Sequence, residues 1–277
     1  MEKKNIKIAF LHVNYNNSEI TIKCINSIIE NDDNSKIIII DNASSKTEKD
    51  KLIDWEIANP LYSNRVVFLF ENINHGYFKA FNIGLKYLQD NISDYKYVVI
   101  GNNDLIFENV FFSHLRTTNI DENVYVISPN IIKTNGIHQN PYSINKTSKL
   151  RKLLYHLIYS NYWMAVLILG VSDALKIKKS ESDKKGYDKS QKIFAGHGAC
   201  YVLTQSFFKY NFLLDDRSFL MGEEFLLAKQ IRDTKGEILY LNNLIVTHDE
   251  HTTMKKIPSK TIYIYSQEAF KLFKDIC

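Results

Sequence analysis

Short apolar runs alternate with helical segments through the first hundred residues, and this alternation limits the possible folds more than any other feature. The runs are rich in Ile and Val, and each has the length of a strand: 6–13, 36–40, 66–70 and 97–100. Segments with helical periodicity follow the first three runs, at 19–30, 46–59 and 77–90. Near-continuous β-branched runs are typical of parallel strands covered on both faces. The pattern predicts a Rossmann-like, doubly wound α/β sheet, mostly parallel with helices on both faces, over residues 1 to about 104.

The second half of the chain is less regular. Strand-like segments occur at 124–128, 131–133 and 194–204, and a polar, loop-like stretch covers 134–149. A helix is predicted at 223–233 and a strand within 237–248. For 277 residues without visible repeats, we expect one domain with a regular half at 1–104, a looser half at 105–250 and a C-terminal helix at 251–277.

Charge and cysteine content exclude several classes of protein. The 35 Lys and Arg exceed the 31 Asp and Glu by four, which is too little to support nucleic-acid binding by bulk electrostatics. Cys24, Cys200 and Cys277 are too few and too scattered for a disulfide framework or a thiolate metal site. The N-terminus lacks the apolar stretch of a signal peptide. We therefore expect a cytoplasmic protein without a nucleic-acid partner, either free or peripheral at the inner face of the cell membrane.

An apolar segment at 153–171 contains no Asp, Glu, Lys or Arg and has basic residues on both sides, within an insert at 149–179. His156, Ser160 and Asn161 interrupt it, and the remaining run at 162–171 is too short to span a bilayer. Its aromatic residues and basic flanks suit an interfacial helix in an anionic headgroup layer. A helix packed on the domain or in a dimer interface, and a true membrane span, are the alternatives.

Polar side chains follow the predicted strands, at the sheet edge where α/β proteins bind ligands. Asp41 and Asn42 offer a carboxylate and an amide to the edge of a planar base; a turn that caps the next helix is the alternative. Asp104, beside two Asn residues, fits a divalent cation that bridges a diphosphate; an ordinary turn is the alternative. Neither a GxGxxG nor a GxxxxGK[ST] motif is present, which argues against a dinucleotide fingerprint or a P-loop.

A third polar cluster, Glu223 and Glu224, opens the predicted helix at 223–233, and His248 lies 24 residues after Glu224. Adjacent acids at a helix start commonly complement the helix dipole. Two neighbouring carboxylates beside a cleft can also differ in pKa, which leaves one of them poised as a general base. His248 gains significance from these neighbours, because a lone histidine is usually a surface or core residue.

The order of these motifs resembles the inverting glycosyltransferases of family 2, over about residues 6–115 and 193–250. In chain order the motifs are Asp41-Asn42, Asn74-His75-Gly76-Tyr77 with Asn82 downstream, Asn102-Asn103-Asp104, Gly196-His197-Gly198-Ala199, Gly222-Glu223-Glu224 and His248. Explaining all of them as turns would require several separate coincidences. Within the family, the chain resembles bacterial surface-polysaccharide rhamnosyl- and glycosyltransferases.

The resemblance implies a GT-A fold. It also implies an enzyme that transfers a sugar from a nucleotide diphosphate donor to an acceptor hydroxyl, with inversion at the anomeric carbon. Residues 1–104 would then bind the nucleotide, and 105–250 would bind the acceptor and carry catalysis. Asp41 and Asn42 match positions that contact the nucleobase, and Asn102 matches one near the ribose. Further positions match the donor site: Gly198 and Ala199 as a small-residue floor under the sugar, together with Asn14, Asn74, Gly76, Asn82 and Asn103.

The resemblance also implies a divalent cation, Mg²⁺ or Mn²⁺, held by Asp104 and His248. Glu224 stands where the family usually has an Asp base, and Glu223 matches the acid before it. Because Glu is one methylene longer, the base is Glu224 in a retracted pose, Glu223, or neither. Lys79 is either a phosphate contact or a solvated side chain.

The identities of the donor and acceptor are predicted from weaker features of the sequence. An Asp-Asn pair suits a pyrimidine edge, which favours UDP or dTDP over GDP. A saccharide or lipid-linked saccharide acceptor in bacterial surface polysaccharide synthesis would fit the apolar insert and an anionic membrane surface.

Two other functions compete with sugar transfer. A sugar nucleotidylyltransferase should have a Gly-rich, Arg-containing loop after the first strand, but residues 14–18 contain neither Gly nor Arg. A catalytically inactive donor-binding or membrane-docked scaffold would explain the Glu-for-Asp exchange. A transferase would consume a nucleotide sugar in a metal-dependent reaction, whereas a scaffold would bind it without turnover.

Overall fold

The fold is described from a computed structural model, which covers residues 6–174, 183–250 and 259–275. Its strands are β1 (Ile8–Asn14), β2 (Lys36–Asp41), β3 (Val66–Phe70), β4 (Tyr97–Asn102), β5 (Leu105–Ile106), β6 (Val124–Lys133), β7 (Gln191–Ile193), β8 (Cys200–Thr204) and β9 (Glu237–His248). Its helices are α1 (Ser18–Asn31), α2 (Lys46–Ala58), α3 (Phe78–Tyr87), α4 (Asn109–Thr117), α5 (Lys149–Ile158), α6 (Tyr162–Ala174), α7 (Gln205–Tyr210), α8 (Glu223–Asp233) and α9 (Ser259–Phe273).

One sheet joins all of these strands in the order β3-β2-β1-β4-β8-β6-β9-β5, with β7 paired to β9. The first four are parallel, as predicted from the Ile and Val runs. The second half of the sheet is mixed, because β8 is antiparallel to β4 and β6 whereas β6 is parallel to β9. The predicted α/β architecture is confirmed, and its parallel part corresponds to the regular half of the sequence.

Both faces of the parallel half are covered. Along β2, Ile38 and Ile40 pack into one apolar core, and Ile37 and Ile39 pack into a second core on the opposite face. All four side chains are fully buried. Since successive strand residues point to opposite faces, an unbroken Ile run requires this two-sided burial.

Strand register brings the polar ends together. Asn14 pairs with Asp41 at the carboxyl ends of β1 and β2, and Val13 pairs with Asn102 on the other side of β1. In the second half, antiparallel β5 places Leu105 opposite His248. Residues from distant parts of the sequence therefore end at one edge of the sheet.

Three predicted boundaries differ from the structure. Residues 124–128 and 131–133 belong to one strand, β6, whose register with β9 shifts between Pro129 and Asn130; proline has no N–H to donate to a strand ladder, which explains the break in the pattern. In the segment 194–204, β8 begins at Cys200, so residues 194–199 form a loop. The helix predicted at 77–90 ends at Tyr87 and continues as a 3₁₀ turn, Gln89–Asp94.

The apolar insert folds as two helices, α5 and α6, separated at the polar interruption. One side of the pair packs on α9: the ring centroids of Tyr159 and Phe270 are 4.9 Å apart, and those of Tyr162 and Tyr263 are 5.4 Å apart. Within the described residues, no helix has the length and apolar character needed to cross a membrane. The basic residues that follow the segment, Lys176, Lys178 and Lys179, lie outside those residues, as does Cys277. Cys24 and Cys200 are buried free thiols.

Candidate active site

The ends of β1 and β2 share a buried hydrogen-bond network. Nδ2 of Asn14 donates to Oδ2 of Asp41 at 2.8 Å, and the Thr21 hydroxyl donates to Oδ1 of Asn14 at 2.8 Å. Oδ1 of Asp41 accepts from the Ser44 N–H at 3.1 Å and lies 3.7 Å from Nζ of Lys49. The Ser44 contact closes a local turn after β2. Asp41 thereby fastens this turn to the end of β1.

The next residue, Asn42, holds the loop that follows β3. Its Nδ2 donates to Oδ1 of Asn74 and to the carbonyl of Gly76, each at 2.9 Å. Gly76 has φ of +82°, and a Cβ there would lie 2.0 Å from the carbonyl oxygen of Phe219. That carbonyl accepts from the Tyr77 N–H at 3.0 Å. Only glycine fits this close approach, which fixes the position of Tyr77.

The Tyr77 hydroxyl joins β4 to the loop at 194–199. It lies 2.7 Å from Oδ1 of Asn102 and 2.9 Å from the carbonyl oxygen of Gly198. Burial raises the pKa of Tyr77 well above its usual range, so the hydroxyl stays protonated and donates. The carbonyl of Ala199 accepts from the Asn102 N–H at 2.9 Å. The end of β4 and the glycine-containing loop therefore form one surface.

Glu223 and Glu224 begin α8 but have different surroundings. Oε1 of Glu224, which is partly exposed, accepts from the Gly198 N–H at 3.3 Å. Oε1 of Glu223 is turned back to accept from the Met221 N–H at 2.7 Å, and this side chain is buried. Burial raises the pKa of both carboxyls, that of Glu223 to about 8 with a further contribution from the charge of Glu224. Glu224 faces the loop beside Asn102, whereas Glu223 is engaged at the helix start.

At the edge formed by β5 and β9, Asp104 meets His248. Oδ1 of Asp104 lies 3.0 Å from Nε2 of His248, and both residues are buried. The backbone contributes too, since the Asp249 N–H donates to the Asp104 carbonyl at 2.9 Å. Nδ2 of Asn102 lies 3.5 Å from the same Nε2, which places the β4 end beside this pair.

Gln139 determines which nitrogen of His248 carries the proton. Nε2 of Gln139 donates to Oε1 of Glu250 at 2.9 Å, and Lys133 contacts the other oxygen of Glu250 at 3.0 Å. This orientation turns Oε1 of Gln139 toward Nδ1 of His248, 2.7 Å away. Because an amide oxygen only accepts, Nδ1 must donate, and Nε2 is the ring nitrogen that faces Asp104.

The Asp104–His248 pair fits a divalent cation. A separation of 3.0 Å between Nε2 of His248 and Oδ1 of Asp104 suits an ion pair with a proton between the two atoms, and it equally suits two ligands of one cation. Two neighbouring ligands about 2.1 Å from an octahedral cation lie about 3 Å apart, which matches this separation. Across the described parts of the chain, no group of three His, Cys, Asp or Glu side chains gathers as a metal cluster. Two protein ligands would leave the remaining positions to diphosphate oxygens and water.

Three of the residues predicted to contact the donor or its phosphates are placed differently: two bond other parts of the protein and one is on the surface. Both side-chain atoms of Asn82 bond the backbone of Leu214, at 3.0 and 2.9 Å, and so hold the segment before α8. Nδ2 of Asn103 donates to the Thr21 hydroxyl at 2.7 Å. Lys79 is exposed on α3. These residues support the walls of the site or lie on the surface.

The structure adds two residues, Gln139 and Tyr142, that the sequence pattern did not single out. Gln139 and Tyr142 come from the polar stretch at 134–149, which has no periodicity, so nothing in the sequence distinguished them. The Tyr142 ring contacts those of His197 and Phe225, each at 6.0 Å between centroids. Burial lowers the pKa of His197 to about 3, which keeps its ring neutral.

The fold resembles solved glycosyltransferases. The chain superimposes on the crystal structure of GalNAc-T7 with UDP, GalNAc and Mn²⁺ with a TM-score of 0.60 and 14% identity, over 90% of this chain and 44% of that one. It also matches the mannosyltransferase PcManGT from Pyrobaculum calidifontis, in complex with GDP-Man and Mn²⁺, with a TM-score of 0.53 and 12% identity, over 87% of this chain and 56% of that one. The chain thus spans about half the length of each. Among curated protein sequences, none matches this chain.

The sheet, the helices and these likenesses show a GT-A fold. Residues 11–166, more than half of the chain, match the model of glycosyl transferase family 2. The chain belongs to this family.

Proposed function

We propose that this chain transfers a sugar, with inversion, from a nucleotide diphosphate sugar to an acceptor hydroxyl, in a reaction that depends on Mg²⁺ or Mn²⁺. The observation that carries this proposal is a continuous set of contacts between the proposed cation ligands and the proposed base. From His248 they pass through Asn102, Tyr77 and Gly198 to Glu224. The solved neighbours, which contain UDP or GDP-Man together with Mn²⁺, support a nucleotide-sugar donor and a divalent cation.

The nucleotide lies along the carboxyl ends of the parallel strands, with the nucleobase toward Asp41 and Asn42 and the ribose toward Asn102. Asn14 and Asn74 hold these positions through their hydrogen bonds. The choice of a pyrimidine base, in UDP or dTDP, rests on the sequence pattern, because Asp41 and Asn42 are buried and their polar atoms bond neighbouring residues. The donor sugar extends over Gly198 and Ala199, where small residues leave room.

Asp104 and His248 hold the cation, with Gln139 keeping the His248 proton on Nδ1. A bound divalent cation supplies positive charge where negative charge develops on the departing diphosphate. The same pair of side chains fixes the diphosphate end of the donor relative to Glu224.

Glu224 is the general base. It takes the proton of the acceptor hydroxyl while that oxygen bonds to the anomeric carbon and the bond from this carbon to the diphosphate breaks on the opposite face. A single in-line displacement of this kind needs no protein nucleophile and inverts the configuration. A carboxyl pKa raised by burial makes a stronger base at neutral pH.

Nucleoside diphosphate release from UDP-, dTDP- and GDP-sugars, measured with and without Mn²⁺, tests the proposal. We expect turnover with at least one pyrimidine donor, loss of turnover with a chelator, and loss in Asp104→Ala. Asp121→Ala, at an exposed acid before β6, is the matched control and should behave as the unsubstituted chain. Metal-independent turnover, or full activity of Asp104→Ala, would contradict the cation site. Donor binding without turnover under all conditions would favour the scaffold alternative.

The proposed biological setting is transfer to a saccharide or lipid-linked saccharide in bacterial surface polysaccharide synthesis. Once a donor is identified, the anomeric configuration of the product, measured by NMR, tests inversion directly.

A further inference from the structure

The α5–α6 helix pair has an outer face of large apolar side chains. On α5, Leu150, Leu153, Leu154 and Leu157 recur at the spacing of one helix face, and all are exposed, Leu150 by 78%. On α6 the exposed side chains include Trp163 (75%), Met164, Val166 and Leu167 (61%). The opposite side of the pair packs on α9. Eight large apolar side chains on two successive helices are therefore exposed to water, and such a concentration marks an interaction surface.

The same segment has a one-sided charge. Residues 146–172 contain four basic residues, Lys146, Lys149, Arg151 and Lys152, and no Asp or Glu; the one acid of the helix pair is Asp173, at the end of α6. Lys260 on α9 adds a fifth basic residue, with Nζ 5.9 Å from the centre of the Tyr162 ring. The whole chain has a net charge of +4, so this positive charge is concentrated locally.

We propose that the outer face of α5 and α6 binds an anionic phospholipid surface, with its apolar residues at the acyl boundary and its basic residues among the headgroups. Apolar side chains beside Lys and Arg, with Tyr and Trp between them, are the composition of helices that lie in a membrane interface. A second copy of the chain fits this face less well, because a two-fold interface would bring the basic clusters together.

Helix α9 connects the α5–α6 pair, which carries this membrane face, to the base end of the site. Tyr159, directly after α5, contacts Phe270 of α9, and Phe273, one turn further along α9, stacks on Phe225 with ring centroids 4.8 Å apart. Phe225 directly follows Glu224 in α8. A docked α5–α6 pair would therefore place the lipid surface on the other side of α9 from α8. Resting on the proposed function, this geometry assigns the acceptor to a lipid-linked class.

Co-sedimentation of the full chain with vesicles tests the membrane face. We expect binding to phosphatidylcholine vesicles with 30% phosphatidylglycerol, weakening at 0.5 M salt, and little binding to pure phosphatidylcholine. The double variant Leu153→Glu/Leu157→Glu should lower binding at least tenfold, and Lys149→Glu/Arg151→Glu should do so at low salt. Ile57→Glu/Leu61→Glu, at exposed apolar positions outside the segment, is the matched control and should bind normally.

Absence of binding by the unsubstituted chain, or equal loss in the control, would overturn the proposal, and equal binding to neutral vesicles would overturn its electrostatic part. So would sedimentation velocity showing a dimer that Leu153→Glu/Leu157→Glu dissociates, without vesicle binding. Donor turnover measured without vesicles separates the two proposals. It should be unchanged in both apolar double variants, whereas failure of the proposed function would leave vesicle binding intact.

Discussion

The two ends of the site are built in different ways. At the nucleobase end, defined here as Asn14, Asp41, Asn42 and Asn74, hydrogen-bond partners lie on neighbouring parallel strands or the loops that follow them, such as Asn14 and Asp41, 27 residues apart. At the proposed catalytic end, defined as Asp104, Gln139, Gly198, Glu223, Glu224 and His248, some partners are as near in sequence as Gly198 and Glu224, 26 residues apart, but others come from opposite parts of the chain. Gln139 and His248 are 109 residues apart, and Tyr77 reaches Gly198 across 121 residues.

The difference suggests separate roles for the two ends: the nucleobase end positions the donor, and the catalytic end carries the groups that take part in the reaction. The nucleobase end is a closed network in which side chains bond one another, and strand register sets its geometry. The catalytic end holds two carboxyls whose pKa values are raised by burial, and a buried histidine whose Nε2 lies 3.0 Å from a carboxylate oxygen. Burying such groups costs stability, and strained electrostatics of this kind is characteristic of functional sites. Substitutions at the catalytic end should therefore reduce the rate, and those at the nucleobase end should reduce stability.

The largest effect is expected for Glu224→Gln at the catalytic end. The substitution removes the proton acceptor but preserves the side-chain shape and an oxygen for the Gly198 N–H. We expect turnover to fall about 100-fold or more with donor affinity nearly unchanged, since the group acts on the acceptor hydroxyl. Steady-state release of nucleoside diphosphate and calorimetric titration with donor measure the two quantities.

Glu223→Gln is the comparison for this experiment. Because Glu223 is turned toward the Met221 N–H, we expect it to lower turnover far less. A collapse of the rate in Glu223→Gln, with Glu224→Gln still active, would transfer the role of base to Glu223.

Gly76→Ala tests the nucleobase end. The new Cβ would lie 2.0 Å from the Phe219 carbonyl oxygen in backbone with φ of +82°. We expect a loss of about 2–4 kcal/mol in the free energy of unfolding, from steric overlap added to left-handed strain. Urea unfolding followed by circular dichroism measures it. Gly136→Ala is the matched control, since Gly136 has φ of +84° with open space around it, and should lose only about 1 kcal/mol. Equal losses of unfolding free energy in Gly76→Ala and Gly136→Ala would show that the close approach of Phe219 does not contribute to the effect.

Gln139→Leu tests whether the catalytic end depends on contacts between residues that are distant in sequence. The substitution removes the acceptor for His248 Nδ1, so the ring is no longer held in the tautomer that directs Nε2 at Asp104. We expect Mn²⁺ affinity to fall about 10-fold or more, as is typical when a supporting partner of a metal ligand is lost. Calorimetric titration with Mn²⁺ measures the affinity, and ¹⁵N NMR of the ring reports the tautomer. Gln139→Glu, which retains an acceptor, should keep the tautomer; an unchanged tautomer in Gln139→Leu would contradict the role of Gln139.

The same contrast explains what the sequence could predict. Strands β1 to β4 and their parallel arrangement follow from buried Ile and Val runs, and α8 and β9 have the predicted bounds. Local pattern is sufficient there, because burial on both faces or on one helix face determines which residues are apolar. Gln139 and Tyr142 could not be found in this way, since their importance depends on contacts with residues more than fifty positions away. The segment 194–199 resembles a strand in its mostly apolar sequence but forms a loop, in which Ser128 leaves no room for a Cβ on Gly196.

Glu223→Gln is also expected to change how stability depends on pH, and this separates the cost of burying a carboxyl at the catalytic end from its role in the reaction. Burial raises the pKa of Glu223 from its usual 4.5 to about 8, so between these pH values the folded state retains a proton that the unfolded chain releases. Stability should therefore fall as pH rises from about 5 to about 8, by at most about 1.4 kcal/mol per pH unit. Gln cannot ionise, and its oxygen still accepts from the Met221 N–H, so the variant should depend less on pH and exceed the unsubstituted chain in stability at pH 9. Urea unfolding at pH 5, 7 and 9 measures this, with Glu122→Gln at an exposed position as the control for the lost charge. Parallel pH profiles for the unsubstituted chain and Glu223→Gln would contradict this expectation, because Glu223 would then ionise in the folded protein as readily as in water. Burial of this carboxyl at the catalytic end would then cost no folding stability.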